Sequence, residues 1–506
     1  MGKPPPTGFV LRSFDALVSI LRCPACGAGF SFSAVAAGTR GSGAGTQAAG
    51  RGHYGVLDCG CSRYPVVDDV PVLMKGPVGI VSHWNDGMIH SGPTSAELVA
   101  ALDRGETTEV LIDCLAFPRH YPLQGRLSRR HLWPDALGRR AGLAQTRGGL
   151  RRLLEREDGR LLAEDVFGFF YSKRSGNNTY LAEYFLNRFV MPRYLSAMAL
   201  VQRLPAAEDP VLDIACGYGH IEHYLTRRRR STPAVGIDFN FYQAWGARRC
   251  VAPDAWFVCC DASAPLPFAG GSFSGAVCSD AFMYLPDKAS LLSEVERVAP
   301  GRPAIFARVG NKAVGPPNPR HGGEMLPEQY WDLFGRERTR FFADAALWKD
   351  YLARRNPLLR EPAALEDMAW EKYLSFVINP QALSAQGEEE GVWPHGIGRL
   401  TLNTVIGVTG DHPEALDTEF MYRSVWGAYE DADMMGYTER WGRLDKAQVR
   451  EALANPDGEA AQRLVERFVL VGMPDDYVRD RLGPYLGDSP AGTGPLPGGE
   501  RGLEAA

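Results

Sequence analysis

The 506-residue chain has no run of about 20 apolar residues, the length a helix needs to span a bilayer. No N-terminal apolar stretch is long or uniform enough for a signal peptide, so the expectation is a cytoplasmic protein with no membrane partner. Positive charge is not in excess: 55 Lys and Arg stand against 60 Asp and Glu, a formal net charge of −5. A surface made throughout for nucleic acid would carry the opposite sign. Cysteine is sparse, with 10 residues, and most sit singly or paired in or beside apolar strands. That excludes a disulfide scaffold and fits a reducing compartment. No internal repeat appears. The hydrophobic content of 45% and charged content of 23% are those of a folded globular chain. Its length exceeds one domain of about 200 residues.

The organising stretch runs from Val211 to Asp238 and begins V-L-D-I-A-C-G-Y-G-H-I-E-H-Y-L. A short apolar run ends at Asp213, turns through Gly217 and Gly219, and continues with apolar positions at helical spacing, which predicts strand, tight turn, helix. Glycines at such a corner let a ligand approach the main chain at a helix N-terminus. A second strand, Ala234 to Ile237, ends in Asp238, where an acid reaches the hydroxyls of a ribose. Further apolar runs follow at Trp256 to Cys260, closed by Asp261 and Ala262, at Phe273 to Cys278, followed by Ser279 and Asp280, and at Ala304 to Val309. A dinucleotide site would want a third glycine where Glu222 stands.

This order resembles the class I S-adenosylmethionine-dependent methyltransferases over roughly 210–310, with a return strand expected near 399–408. The resemblance implies an α/β fold, a doubly wound Rossmann-like sheet, and a residue set for the cofactor. Asp213, Ala215, Gly217 and Gly219 would surround its amino-acid end, and Asp238 its ribose, with Phe239 beside the adenine. Asp261 and Ala262 would meet the adenine edge, and Ser279 and Asp280 would lie below the sulfonium. Cys216 and Tyr284 depart from the family pattern, replacing a glycine and a histidine. The N-P-P-Y strand-four motif of related amino-group methylases is missing, which favours an oxygen or carbon acceptor.

Cys23 and Cys26, followed by Gly27, have the spacing of half a tetrahedral thiolate site, and Cys59 and Cys61 would be the other half. A redox pair or unligated core cysteines are the alternatives. The sequence R-Y-P-V-V-D-D-V-P-V-L beside them resembles the Trm112-like zinc ribbons, which occur as partners of methyltransferases or fused to them. The resemblance implies a structural zinc ion held by all four sulfurs.

The expected division is a zinc ribbon at 17–76, a helical linker and N-terminal cap at 77–204, the cofactor-binding half of the core at 205–310, and a largely helical substrate cap at 311–390. The end of the core sheet with C-terminal helices would fill 391–485, and 486–506 would be a flexible tail. Tyr171 and Tyr180, flanking a Gly-containing polar loop, are expected to reach the cofactor or substrate. Helices are expected at 95–103, 146–157, 327–334, 345–355 and 363–377, with His220 and His223 on the surface of the first sheet helix. The catalytic candidates are Tyr284, Asp280, His321 and His395, and Trp393 and Asn403 are candidates to line the pocket.

The resulting expectation is methyl transfer to an oxygen or carbon of a small organic molecule in specialised metabolism, by a monomer or homodimer. An RNA methyltransferase, with a basic face formed jointly by the ribbon and the Arg126 to Arg152 region, is one alternative. Cofactor-dependent cyclisation or other non-methylating chemistry is another, and a non-catalytic binding protein a third.

Overall fold

The computed structural model describes residues 13–35, 52–78, 80–83, 87–90, 92–116, 135–155, 160–171, 180–228, 231–314, 323–360, 364–384, 394–422 and 428–487. They form two compact units, 1–394 and 395–506.

The first unit opens with helix Phe14–Ile20, whose N-terminus is capped by the Ser13 hydroxyl accepting from the Ala16 N–H. A small antiparallel sheet follows, in the order β1 (Ser31–Ala34), β2 (Gly55–Asp58), β3 (Arg63–Val67), β4 (Val70–Pro71). Asp68 and Asp69 take φ of 49° and 71°, the left-handed pair that a two-residue hairpin between β3 and β4 demands.

Among the described residues the central sheet has seven strands: β5 (Val211–Ile214), β6 (Ala234–Asp238), β7 (Trp256–Cys259), β8 (Gly275–Ser279), β9 (Ala304–Gly310), β10 (Thr339–Ala343) and β11 (Tyr373–Ile378), in the order β10-β11-β9-β8-β5-β6-β7. Strands β5 to β9 pair in parallel, and β11 runs antiparallel to both β9 and β10. Their near-continuous burial is what a parallel sheet covered on both faces requires. Chain order reverses between β5 and β8, so a ligand site is expected outside the carboxyl ends of these strands.

The small sheet is welded to the large one. Val72 bridges Cys259 in parallel, the Leu73 N–H donates to the Cys259 carbonyl at 2.8 Å, and Leu21 bridges Phe268. Phe14, Leu17, Tyr64 and Leu73 share one apolar cluster with Leu212, Val235, Val258 and Phe306. The edge strand β7 is thereby covered, which removes an exposed pairing edge. Asp68, buried beneath the hairpin, accepts from the indole N–H of Trp245 at 2.9 Å.

Two expectations are corrected. The sheet does not resume at 399–408: it is completed by β10 and β11, inside the segment read as a helical cap. Residues 373–377, read as the end of a helix over 363–377, belong to β11, and the described helix there is only Leu365–Met368. The Y-L-S-F-V-I run pairs with β9 on one side and β10 on the other, and packs Phe376 against Tyr330, Phe334 and Phe341. Such ring pairs contribute about 0.5–1.5 kcal/mol each beyond area burial.

The second unit has its own core. Strand β12 (Arg399–Leu402) pairs with β16 (Leu470–Met473), and β13 (Ile406–Asp411), β14 (Ala415–Phe420) and β15 (Trp441–Asp445) form an antiparallel meander. Its described α-helices are Ala428–Tyr437, Lys446–Ala454, Glu459–Glu466 and the short Gly483–Leu486. No described helix of the chain is long and apolar enough to cross a membrane.

Candidate functional site

The turn after β5 holds Ala215, Gly217 and Gly219 at φ of 59°, 56° and 75°. Gly219 is demanded twice over: beyond its backbone conformation, a Cβ there would lie 2.8 Å from the Phe257 ring. Asp238, at the end of β6, accepts from the Gly217 N–H through Oδ2 at 3.1 Å and from the Asn240 N–H through Oδ1 at 2.8 Å. One carboxylate therefore ties the second strand end to the glycine turn. Burial, opposed by these N–H donors, pushes its pKa up to about 6. Asp213 is buried beside it, with Oδ1 meeting no hydrogen-bond partner among the described residues. Burial pushes Asp213 up to about 8, against the pull of Glu222 and Arg188 and with the charge of Asp238 adding to the rise. Ser279 Oγ, at the end of β8, is likewise without a partner. Phe239 and Ala262 are half-buried; Asp261 is exposed, its Oδ1 accepting from the Ser263 N–H at 2.8 Å.

A different arrangement stands at the ends of β8 and β9. Asp280, left-handed at φ 60°, accepts from the Tyr184 hydroxyl at 3.0 Å and faces Arg193 at 2.9 Å, Arg188 at 3.3 Å and Arg308 at 3.7 Å. Burial alone would raise this carboxyl, but Arg193, Arg188 and Arg308 together hold it at about 2. Arg308, also left-handed at φ 55°, sits where the pairing of β9 with β11 slips, stacks over Tyr373 and pairs with the buried Asp344 at 3.1 Å. Tyr284 is 41% exposed as a residue, and burial around its hydroxyl together with the charge of Asp280 pushes the phenol up.

The structure thus brings Asp213, Ala215, Gly217, Gly219, Asp238, Ser279 and Asp280 to neighbouring strand ends of one sheet. Tyr171 caps helix Ala163–Phe170; its phenol is buried, accepts from Gln243 at 3.0 Å and stacks on Phe185 behind Tyr218. Tyr180 opens helix Tyr180–Leu186. His321 and Trp393 lie outside the described residues. His395, the other catalytic candidate, is fully buried in the second unit, stacked on Phe468 and bonded to the Val465 carbonyl. Asn403, the other pocket candidate, bonds the Phe468 carbonyl and the Val405 N–H in the same core. His220 and His223 are buried against Phe189 rather than on a helix surface, because helix His220–Arg227 is covered on that side.

Sequence reasoning missed Arg188, Arg193, Arg308, Asp344 and Glu222. Arg308 left a signal, a lone charge inside the apolar run A-I-F-A-R-V-G. Arg188 and Arg193 flank Pro192 in an otherwise apolar stretch.

The thiols of Cys23, Cys26, Cys59 and Cys61 lie within 4.8 Å of one another, with Sγ separations of 3.8 Å for Cys23 and Cys61, 3.9 Å for Cys26 and Cys59, and a shorter 3.2 Å for Cys59 and Cys61. A tetrahedron with Zn–S bonds of about 2.3 Å has edges of about 3.8 Å, so the donor set fits such an ion. The unusual one-residue spacing is accommodated by Gly60 at φ 82°, which turns both flanking thiols inward.

Residues 212–301 match the family model described as a methyltransferase domain. No curated protein matches the chain. Similar solved structures include a TehB-like S-adenosylmethionine-dependent methyltransferase from Corynebacterium glutamicum (16% identity, 36% of this chain and 86% of that one, TM-score 0.27). Another is a complex of the Haloferax volcanii Trm112 activator with a methyltransferase (18%, 42% and 97%, 0.30). A third is geranyl diphosphate C-methyltransferase from Streptomyces coelicolor (20%, 37% and 76%, 0.27). At these TM-scores the neighbours carry no argument about the acceptor. The matched segment includes the glycine turn and the ends of β5, β6, β7 and β8, and over this segment the chain is similar to a methyltransferase domain.

Proposed function

We propose that the protein transfers the methyl group of S-adenosylmethionine to an oxygen or carbon of a small organic molecule. The observation that supports it most is Asp238, a carboxylate fixed at the end of β6 by the N–H groups of Gly217 and Asn240, with lone pairs left for ribose hydroxyls. Phe239, Asp261 and Ala262 would flank the adenine, and Asp213, Ala215, Gly217 and Gly219 the amino-acid end. Ser279 and Asp280 would lie below the sulfonium. Tyr171 holds the aromatic wall behind Tyr218, and Tyr180 remains a candidate for the cofactor side.

The bound sulfonium supplies an already activated methyl carbon, so the protein's part is alignment and exclusion of water. Asp280, held ionised by three arginines, is a weak base, and its part is to fix Tyr184, Arg188 and Arg193. Tyr284 stays protonated at neutral pH, because burial and Asp280 both raise it. Neither residue takes a proton from the acceptor at neutral pH, which favours an acceptor that arrives nucleophilic, such as an ionised enol or an electron-rich carbon. The same corner would serve cofactor-dependent cyclisation.

Part of the arginine set considered for an RNA substrate is taken up within the chain, while Arg126, Arg129 and Arg130 lie outside the described residues. Arg147 and Arg151 pair with Glu109 at 2.6 and 2.7 Å, Arg227 pairs with Asp254 at 2.8 Å, and Arg228 is buried against the Leu204 carbonyl. The four thiolates would hold zinc with no open coordination position, a structural role.

Native mass spectrometry of the purified chain tests the whole reading. The expected spectrum shows one zinc and one S-adenosylmethionine per chain, with any co-purified small molecule revealing the acceptor class. Folded, zinc-loaded protein that takes up no S-adenosylmethionine at millimolar concentration overturns it.

A further inference from the structure

Glu222 lies in the first turn of helix His220–Arg227, against the sheet, and is completely buried. Neither of its carboxyl oxygens has a hydrogen-bond partner at ordinary distance among the described residues, and the same holds for Oδ1 of Asp213. The two carboxyl groups face each other, each the strongest charged influence on the other. Ile221, Tyr224 and Leu225 on the same helix are the apolar side chains such an interface ordinarily takes.

The sheet makes room for this acid. Gly236 is the register partner of Asp213 on the neighbouring strand, and a Cβ there would lie 2.2 Å from Glu222 Oε1 and 2.7 Å from Cys216 Sγ. Any larger residue at the middle of β6 would expel the Glu222 carboxyl. The other titratable groups facing the pair are Cys216 in the turn, Asp238 on β6, Cys278 on β8 and Arg188 ahead of helix Pro192–Val201. The one cation in this set, Arg188, is bonded to Asp280. Two adjacent carboxyls in an apolar setting do not both ionise unless a positive charge joins them.

We propose that Asp213 and Glu222 share one proton in the unliganded protein and release it to solvent when the cationic end of the cofactor settles at the glycine turn. This rests on the cofactor reading above. No bond other than the O–H is broken; one proton leaves for each cofactor bound. Glu222 is thus a positioning residue: it sets the charge of Asp213, and cofactor uptake becomes proton-linked near neutral pH.

Titration calorimetry with S-adenosylmethionine at pH 7, repeated in buffers of different ionisation enthalpy, counts the proton. The expected result is release of close to one proton, with affinity tightening nearly tenfold per pH unit up to about pH 8. Glu222→Gln, which keeps shape and offers Asp213 an N–H donor, should bind with affinity almost independent of pH over the same range. Infrared difference spectroscopy of the unmodified protein is the second arm: the C=O band of a protonated carboxyl should vanish on adding S-adenosylmethionine. Binding heat with no proton released and no band lost overturns the shared proton alone, and so does release that persists undiminished in a folded Glu222→Gln variant. Absence of any binding heat in native protein sinks the cofactor reading instead.

Discussion

Asp238 and Asp280 stand at the carboxyl ends of β6 and β8, both with little exposure, yet one is pushed up to about 6 and the other held down at about 2. At the β5–β6 corner the acids Asp213, Glu222 and Asp238 gather around a glycine turn, and backbone N–H groups answer Asp238 while Glu222 and Oδ1 of Asp213 are left without donors among the described residues. At the β8–β9 corner three guanidinium groups answer Asp280 and Asp344. The first corner keeps its demand for positive charge, and a cationic ligand would satisfy it. The second has been satisfied internally, so it serves as a rigid floor. Both lie at the switch point of one sheet, and the difference comes from which helices close over them.

The sharpest way to break this contrast is to remove the cation that spans two acids. Arg308→Met leaves Asp344 and Asp280 short of a buried partner, and the expected loss of unfolding free energy in urea titration is about 3–5 kcal/mol. A loss under about 1 kcal/mol would show that the corner is not charge-compensated in this way. Next comes Asp238→Ala, which removes charge-assisted hydrogen bonds worth about 3 kcal/mol in total and should weaken S-adenosylmethionine binding about 100-fold in calorimetry. Circular dichroism would confirm that the variant is folded. Unchanged affinity would detach the first corner from the cofactor.

A smaller effect follows from the opposite shifts. Asp213, raised in the fold from an unfolded value near 4 to about 8, binds more protons folded than unfolded across that window, so its contribution to stability is present below about pH 4 and is lost as pH rises toward 8. Asp280, lowered to about 2, contributes stability above about pH 4 that is lost as pH falls toward 2. The melting temperature of unliganded protein should therefore fall by several degrees between pH 5 and 8, and added S-adenosylmethionine should flatten that slope. A melting temperature rising steadily over this range would contradict the assignment for Asp213. The smallest effect is expected for Tyr284→Phe, which should change kcat less than about threefold, because a phenol that stays protonated supplies no base. A drop of about 100-fold, with a pH profile moved to higher pH, would make it one.

Much of the first corner was legible in the chain. Strand, glycine turn and helix over Val211 to Arg227, and the acid closing Ala234 to Ile237, follow from local apolar runs and the special backbone of glycine. The capped helix Ser95–Asp103 reads equally well, since Thr94 and Glu97 complete a capping box within four residues. The second corner was hidden. Its arginines arrive from Arg188, Arg193 and Arg308, far apart in sequence, and only packing brings them to Asp280. Strands β10 and β11 were hidden for a related reason: Y-L-S-F-V-I reads as a strand only once β9 and β10 stand on either side of it. The surroundings of His395 were not legible, because an isolated histidine near a proline carries no local mark of whether it faces solvent, a substrate or the ring of Phe468.

By itself the sequence determined what depends on near neighbours along the chain: the glycine turn, the acids that end β5 and β6, the paired cysteines and the apolar runs of the parallel strands. Tertiary structure alone decided what depends on distant partners: the order of the strands in the central sheet, the covering of β7 by the small antiparallel sheet, and the charge state of each buried carboxyl. The physical reason is that backbone conformation is governed within a few residues, whereas desolvation and Coulomb interaction act through space, so an aspartate's chemistry is set by whatever the fold places beside it.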